Sequence, residues 1–376
     1  MSFYDFIFIN GKFLGQKITG VQRFALETVK EIDSLLSTNE FQTYKDKFFL
    51  CVPCNADESK ISFLKNIKIK KSKRNKGIFW EQFEFAHAIK KSKALGLHLC
   101  NTLPFLQAKG IVCLHDITYS IHPEFVTTKK HKLVKVWHKV QDKLCAKKSL
   151  AILTVSENSK KEICDYFKIS PQKVTVVYNG YQHFTENKDF TKNSYNDNDF
   201  KRDFPFLNEN QFFFSMSSLA KNKNYKWILE VAKRNPKENF AIAGNNDLKK
   251  YGDTLNEGKS LQNLFYLGYV SDDQACYLMK KCKAFIFPSI FEGFGIPPME
   301  ALSLGSKVIC SNASCMPEIF EDCVYYIDPY NYDVKLDELL EKSVAEPAKV
   351  LSKYSWNKTA KKTMEVVKSF FAEVSF

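Results

Sequence analysis

Several things are scarce in this 376-residue chain, and each absence removes a class of protein. No apolar run approaches the eighteen or so residues that a membrane-spanning helix needs. The first one, Phe6-Ile7-Phe8-Ile9, stops after four between Asp5 and Asn10, so no signal peptide is expected. The eleven cysteines are odd in number and irregularly spaced, which points to reduced thiols and a cytoplasmic protein rather than a disulfide framework. Cys51-Val52-Pro53-Cys54 has no partner pair at zinc-ligand spacing and reads as structural. No repeat of fixed period is present. Acidic residues are short, 42 against 55 Lys and Arg, leaving a net charge of +13.

The basic excess is concentrated. Residues 60–94 carry eleven Lys or Arg against Glu81 and Glu84, and residues 129–148 carry eight Lys against Asp142 alone. Such a face attracts anions, whether acidic headgroups, phosphorylated substrates or nucleic acid. Its alternative is an ordinary solvated lysine surface. Nucleic acid is disfavoured, because no stacking aromatics are interleaved with the lysines and no reader motif occurs.

A hydrophobic content of 44% suits packed cores, and the length suits two domains. Short apolar runs at Phe6–Ile9, Gly110–Leu114, Leu150–Val155 and Val174–Val177 alternate with helical periodicity over 20–36, 129–148 and 157–167. In 129–148 the apolar stripe is Leu133, Val136, Trp137, Val140 and Leu144. Residues 185–203 are polar and free of aliphatic side chains, and read as a linker. Strand candidates resume at 212–215, 240–244, 264–268, 284–289, 307–311 and 324–327, and Ser271-Asp272-Asp273-Gln274 has capping-box spacing. Strand–helix alternation of this kind makes parallel sheets covered by helices. The expected division is a first domain over 1–200, a second over 201–355, and a terminal helix from 356 that caps the second domain or crosses back to the first.

One loop carries chemistry. In PSIFEGFGIPPMEALSLG (288–305) a strand runs into glycines and a helix, with Glu292 and Glu300 on either side. Gly293 and Gly295 let backbone approach a ligand. Pro298 suits a first helical position, and the helix N-terminus suits an anion. Glu300, placed in the first turn, can accept hydrogen bonds from ribose hydroxyls, and Glu292 from sugar hydroxyls. The alternative, a Gly/Pro turn with a dipole-compensating Glu300, explains the helix but not Glu292.

The run from 288 to 329 resembles the signature of glycosyltransferase family 4, retaining enzymes of the GT-B fold, in which two glutamates separated by seven residues flank a GFG loop. SLAKNKNYKWILEVA (218–232), AIAGNN (241–246) and the terminal YSW helix fit the same family. ITGVQRFALE (18–27), FWEQFEF (79–85), LHDITYSIHPEF (114–125), LTVSENSKKEI (153–163) and VVYNGY (176–181) resemble its bacterial mannosyl- and rhamnosyltransferase-like members. The resemblance implies two Rossmann-like doubly wound α/β domains facing a central cleft, and transfer of a hexose from a nucleotide sugar with retention.

It also implies roles. Glu292, His115 and Lys223 would be catalytic. The donor would be held by Gly20, Arg23, Asn224, Gly293, Phe294, Gly295, Ile296 and Glu300, with Asp116, Glu81 and Gln82 on the acceptor side. An arginine that many members carry before the lysine is here Ser217 or Ser218, and Lys221 or Arg23 is the stand-in. No metal is expected, since Lys223 and the helix terminus carry the charge. Asp197-Asn198-Asp199 is a DxD triplet in the polar linker and reads as incidental. GDP-mannose is the first donor choice and dTDP-rhamnose the second. The acceptor is a growing glycan, such as lipid-linked surface polysaccharide of the O-antigen kind, and the basic first domain or the 133–144 helix would lie on an anionic inner membrane face. The competing readings are a nucleotide-sugar epimerase of the same fold and an inactive nucleotide-binding scaffold.

Overall fold

The structure, a computed structural model, describes residues 4–371 except 74, 108, 126–128, 186–194, 219, 245–257 and 259, with side chains 129–133 also outside the described set. Leu133 of the expected stripe, Asn245 and Asn246, and residues 186–194 of the expected linker therefore lie outside the described residues.

The chain divides into two compact units. The first comprises Met1–Pro123, Lys130–Gly180 and Ser355–Phe376, and the second Glu124–Lys129 and Tyr181–Tyr354. Each is built on one parallel sheet. In the first unit β1 (Phe6–Asn10), β2 (Phe48–Val52), β3 (Lys68–Lys71), β4 (Ala94–His98), β5 (Gly110–Cys113), β6 (Ala151–Thr154) and β7 (Val174–Val176) run in the order β3-β2-β1-β4-β5-β6-β7. In the second, β8 (Phe212–Met216), β9 (Asn239–Ala243), β10 (Leu264–Gly268), β11 (Ala284–Phe287), β12 (Val308–Ser311) and β13 (Tyr325–Ile327) run in the order β10-β9-β8-β11-β12-β13. Both orders reverse direction beside the first strand, at β1/β4 and at β8/β11. Ligands bind at such a switch point, outside the carboxyl ends of the strands.

Burial explains which strands announce themselves. Ile7, Ile9, Phe213, Phe285 and Ile309 are fully buried, as strands covered on both faces require. Edge strand β3, Lys-Ile-Lys-Lys, is exposed at every residue and carries no apolar run to find; its lysines are also what keeps an open edge from pairing with another chain.

Helices α1 (Gly20–Leu35), α2 (Lys129–Lys148) and α3 (Glu157–Phe167) lie where the periodicity puts them. The face that α2 turns inward is not the apolar stripe. Gln141, Asp142, Cys145 and Ala146 are buried, while Val136 and Val140 are 59% and 43% exposed. The polar side chains are inside because each has a partner there: Gln141 Oε1 accepts from the Leu103 amide at 3.0 Å, and Asp142 Oδ2 from Ser120 Oγ at 2.7 Å.

The division falls at Gly180/Tyr181, upstream of the boundary expected at residue 200. Part of the expected linker is helix α4 (Asp197–Asp203), capped by Asn196. Phe200 and Phe204 anchor it: Phe200 packs on Phe212 and Tyr277 of the second unit, with ring centroids 6.2 and 5.1 Å away. The DxD triplet lies on α4, where Asp197 accepts from Tyr277 Oη at 2.8 Å and Asp199 pairs with Arg202 at 2.7 Å. Helices α5 (Tyr225–Arg234), α6 (Asp272–Lys281) and α7 (Ile296–Ser303) cover the second sheet, and the Ser271–Gln274 capping box forms. The terminal helix α8 (Trp356–Lys368) belongs to the first unit, with Trp356 against Phe24 and Thr359 Oγ1 donating to the Tyr178 carbonyl at 3.1 Å. None of the eleven cysteines is joined in a disulfide, and burial pushes the Cys51 thiol up to about 12.

Candidate functional site

In the second unit, the turn after β8 and the loop after β11 meet at the switch point. Asn222 and Asn224 stitch them together. The Ile290 amide donates to the Asn222 carbonyl at 2.7 Å, and Asn222 Nδ2 to the Phe291 carbonyl at 3.0 Å. Asn224, left-handed at φ 55°, heads α5 and gives both side-chain protons to carbonyls, Pro288 at 3.2 Å and Pro329 at 2.8 Å. Asn224 is thus occupied in holding the loop. Lys223 lies between them, and its ammonium pairs with the Glu292 carboxylate. Both side chains are mostly shielded, 18% and 12% exposed, and Lys223 Nζ stands 5.7 Å from the Phe287 ring centroid. The Glu292 backbone is fixed by Ser314, whose Oγ accepts from its amide at 3.2 Å and donates to its carbonyl at 2.8 Å.

Gly295 has φ 90°, a conformation that disfavours a Cβ, and one built there would stand 2.8 Å from Met316 Cε. The helix then starts at Ile296, with Gly295 as its N-cap, earlier than expected. Pro297 and Pro298 take its second and third positions rather than Pro298 its first. The prolines remove two of the donors that a helix N-terminus normally offers. An anion here would be met by the amides of Gly293 to Ile296 and by Lys223, with less help from the helix than the sequence implied. Glu300 is the fifth helical residue, in the second turn and not the first. It is buried, and its Oε1 accepts from His183 Nε2 at 2.8 Å; both side chains are under 10% exposed. His183, 117 residues away, is a site residue that the sequence reading missed. So is Ser314. Phe294 packs edge-on against Tyr354, centroids 5.3 Å apart. Lys221 is exposed, and Ser217, where an arginine was looked for, hydrogen-bonds the Tyr225 hydroxyl at 2.9 Å.

The first unit has its own switch point, at the carboxyl ends of β1 and β4, with a second ion pair that the sequence reading also missed. The Lys12 ammonium meets Glu81 Oε2 at 2.5 Å and Thr102 Oγ1 at 3.2 Å. Glu81 Oε1 accepts from Thr102 Oγ1 at 2.6 Å and Asn10 Nδ2 at 2.7 Å. Asn10 Nδ2 also donates to His98 Nδ1 at 3.3 Å, which leaves the neutral ring's proton on Nε2, buried and without a partner among the described residues. Burial pushes Glu81 up, but Lys12 and Thr102 outweigh it and hold the carboxyl below its ordinary value. Burial drives His98 down to about 4. Glu81 is fully buried, so its carboxylate braces this end of the sheet and does not reach the surface.

His115 follows β5. Its ring donates from Nε2 to the Leu99 carbonyl at 3.0 Å and meets the Phe24 ring edge-on at 4.6 Å. The neutral tautomer therefore keeps a lone pair on Nδ1, with no hydrogen-bond partner recorded among the described residues, and burial favours the neutral form by lowering the pKa. Asp116 is bound by Thr118, its Oδ1 accepting from the Thr118 amide at 2.9 Å. Arg23 reaches Glu27 at 3.7 Å in α1, and Gly20 is the exposed first residue of that helix. Among the described residues no group of three His, Cys, Asp or Glu side chains could hold a metal ion.

Residues 196–361, which take in most of the second unit and the start of α8, match the family model described as "Glycosyl transferases group 1". O-antigen chain mannosyltransferase B of Escherichia coli is 23% identical over 86% of this chain and 87% of its own length. An uncharacterised glycosyltransferase of Methanocaldococcus jannaschii is 27% identical over 58% of this chain and 60% of its own length. Among solved structures, Anabaena HepE in complex with UDP-glucose superposes with a TM-score of 0.69 at 15% identity, covering 96% of this chain and 99% of that one. Two parallel-sheet units with a group 1 domain in the second define the class: the chain is a glycosyltransferase of the GT-B fold. Within that class it is a nucleotide-sugar-dependent hexosyltransferase, related at low identity to O-antigen mannosyltransferases.

Proposed function

We infer that this enzyme moves a hexose, with retention, from a nucleoside-diphosphate sugar to a hydroxyl of a growing surface glycan of the O-antigen kind. The donor of first choice is GDP-mannose, on the strength of the mannosyltransferase relatives, and dTDP-rhamnose is second. The acceptor is read as carried on a lipid diphosphate at the cytoplasmic membrane face.

The observation that carries this reading is the cluster at the β8/β11 switch point: Lys223 paired to Glu292, the glycine loop that caps α7 at Gly295, and Glu300 braced by His183. A diphosphate leaving group gains charge as the anomeric C–O bond breaks, and Lys223 with the loop amides stabilises it. Glu292 orients sugar hydroxyls, and Glu300 receives ribose hydroxyls on the carboxylate edge that His183 leaves. The new bond forms on the face the phosphate leaves, and the acceptor's proton passes to the departing phosphate oxygen. His115 is assigned to the transferred sugar through Nδ1. This chemistry needs no metal.

A thermal-shift panel of GDP, UDP, dTDP, CMP and ADP tests the donor half. A ligand that binds only the folded protein raises its stability by roughly 2.7 kcal/mol at a hundredfold excess over Kd. One nucleoside diphosphate should stabilise the protein, and Glu300→Ala should lose the effect. Stabilisation by none of the five would overturn the donor assignment.

A further inference from the structure

The segment Phe-Trp-Glu-Gln-Phe-Glu-Phe (79–85) does two things at once. Its turns are π-helical over Trp80–Phe85, so residues five apart share a face. Trp80 and Phe85 stack inward at 5.2 Å and are buried. Phe79 and Phe83, four apart, stack at 6.3 Å on the outside, 71% and 58% exposed. Beside them are Ile78, 50% exposed, and Leu106, 76% exposed.

These residues form one surface. Gln82 ties the π-helical segment to the Phe105 turn, accepting from the Phe105 amide at 2.8 Å and donating to the Leu103 carbonyl at 3.4 Å. Phe105 packs on Trp137 of α2 at 5.5 Å, which extends the patch to the outward-facing Val136 and Val140. Single exposed apolar side chains are ordinary on a soluble protein, but a contiguous group of this kind marks a surface that meets something.

Charge identifies the occupant. Between residues 68 and 109 the chain carries ten Lys or Arg and two acids. Neither acid offers an unpaired carboxylate to the outside: Glu81 is fully buried, and Glu84 accepts from Ser72 and Asn75. Lys73, Lys76, Lys90 and Lys91, which flank the aromatic pair in the chain, are exposed. Aromatic and aliphatic side chains that project from a lysine-rich, acid-free surface fit the boundary between acyl chains and anionic headgroups. No helix among the described residues is long and apolar enough to cross a membrane.

We propose that Phe79, Phe83 and Leu106 insert into the surface of an anionic bilayer and that the neighbouring lysines hold the first unit there. The purpose, access to a lipid-linked acceptor, rests on the function inferred above; the docking itself does not.

The test is flotation of the full chain with vesicles of phosphatidylcholine alone or with one-third phosphatidylglycerol, at low and high salt. Binding should require the anionic lipid and weaken with salt. The triple variant Phe79→Ser, Phe83→Ser, Leu106→Ser should bind at least tenfold more weakly with an unchanged melting temperature and unchanged nucleotide stabilisation. Lys73→Glu with Lys76→Glu should weaken binding without touching the apolar patch. Equal binding by the triple variant, or no binding to either vesicle, overturns the proposal. So does a concentration-dependent dimer that the triple variant abolishes, because the patch is then a contact between copies. The nucleotide panel fails or succeeds separately, so loss of the donor reading and loss of the docking reading are told apart.

Discussion

Lys12 and Lys223 each follow the first strand of a parallel sheet, each stands at that sheet's switch point, and each is paired with a glutamate. The pairs are finished differently. Lys12–Glu81 is closed in, with Glu81 at zero exposure and both its oxygens satisfied by Lys12, Thr102 and Asn10. Lys223–Glu292 keeps part of each side chain at the surface, beside a glycine loop, with no neutral donor recorded on Glu292 among the described residues. A fully satisfied buried pair rigidifies its surroundings and has nothing left to offer. A pair with spare capacity can exchange its partner for a ligand. The same two residue types thus form a closed brace in one unit and an open, candidate site pair in the other.

The largest expected effect comes from breaking the brace. Lys12→Ala strands the Glu81 carboxylate in the interior, and chemical denaturation should show a loss of about 3 to 5 kcal/mol. Lys223→Ala should cost less in the same measurement, because Glu292, 12% exposed, is left with an edge that water can reach. Its effect belongs in turnover instead: kcat with the identified donor should fall about 100- to 1000-fold, as when a transition-state charge partner is removed. Equal stability losses for the two variants would erase the distinction.

His183 sharpens the comparison next. His183→Ala should weaken nucleoside diphosphate binding about tenfold, or about 1.4 kcal/mol, and His183→Gln, which keeps a donor near Glu300, should restore most of it. The telling readout is the affinity ratio of the ribonucleotide to its 2′,3′-dideoxy analogue. It should collapse toward one in the alanine variant, which a purely structural defect would not cause.

The pH dependence is a smaller effect, and its sign is fixed. His98 is held neutral in the fold with a pKa near 4, against about 6.5 unfolded, so the unfolded chain takes up the proton first. Stability is therefore present above about pH 6.5 and falls as pH drops toward 4. Burial, only partly offset by Ser120, raises Asp142 to about 7, so its contribution has the opposite sign, with stability falling as pH rises from about 4 toward 7. His98→Gln should flatten the acid limb of a stability–pH curve, and Asp142→Asn the neutral one. The smallest effect is expected at Asp199→Ala, an exposed helix-capping contact on α4 worth about 0.5 to 1 kcal/mol, with no change in turnover.

Much of this was legible in the chain because the relevant signals are local. Strands buried on both faces read as apolar runs, and glycine and proline punctuate the loop between Glu292 and Glu300. Of the three strands that escaped notice, β3 is lysine-rich and β4 is interrupted by Gly96, whereas β2 is an unbroken apolar run, Phe48–Val52, that had the same local signal as its neighbours. The polar run around α4 looked like a linker because its two anchoring phenylalanines are outnumbered.

Ten of the thirteen described strands, the glycine loop of 288–305 and the glutamates that flank it could be read from the chain alone, since each of those signals lies within about twenty residues. Which polar side chains became partners was settled by long-range packing. His183 lies 117 residues from Glu300, Lys12 lies 69 from Glu81, and residues so far apart leave no periodicity to read. The tertiary structure also decided which apolar side chains stayed outside. Phe79 and Trp80 are adjacent in sequence and equally hydrophobic, and the π-turn that sends one outward and the other into the core is settled by packing rather than by composition.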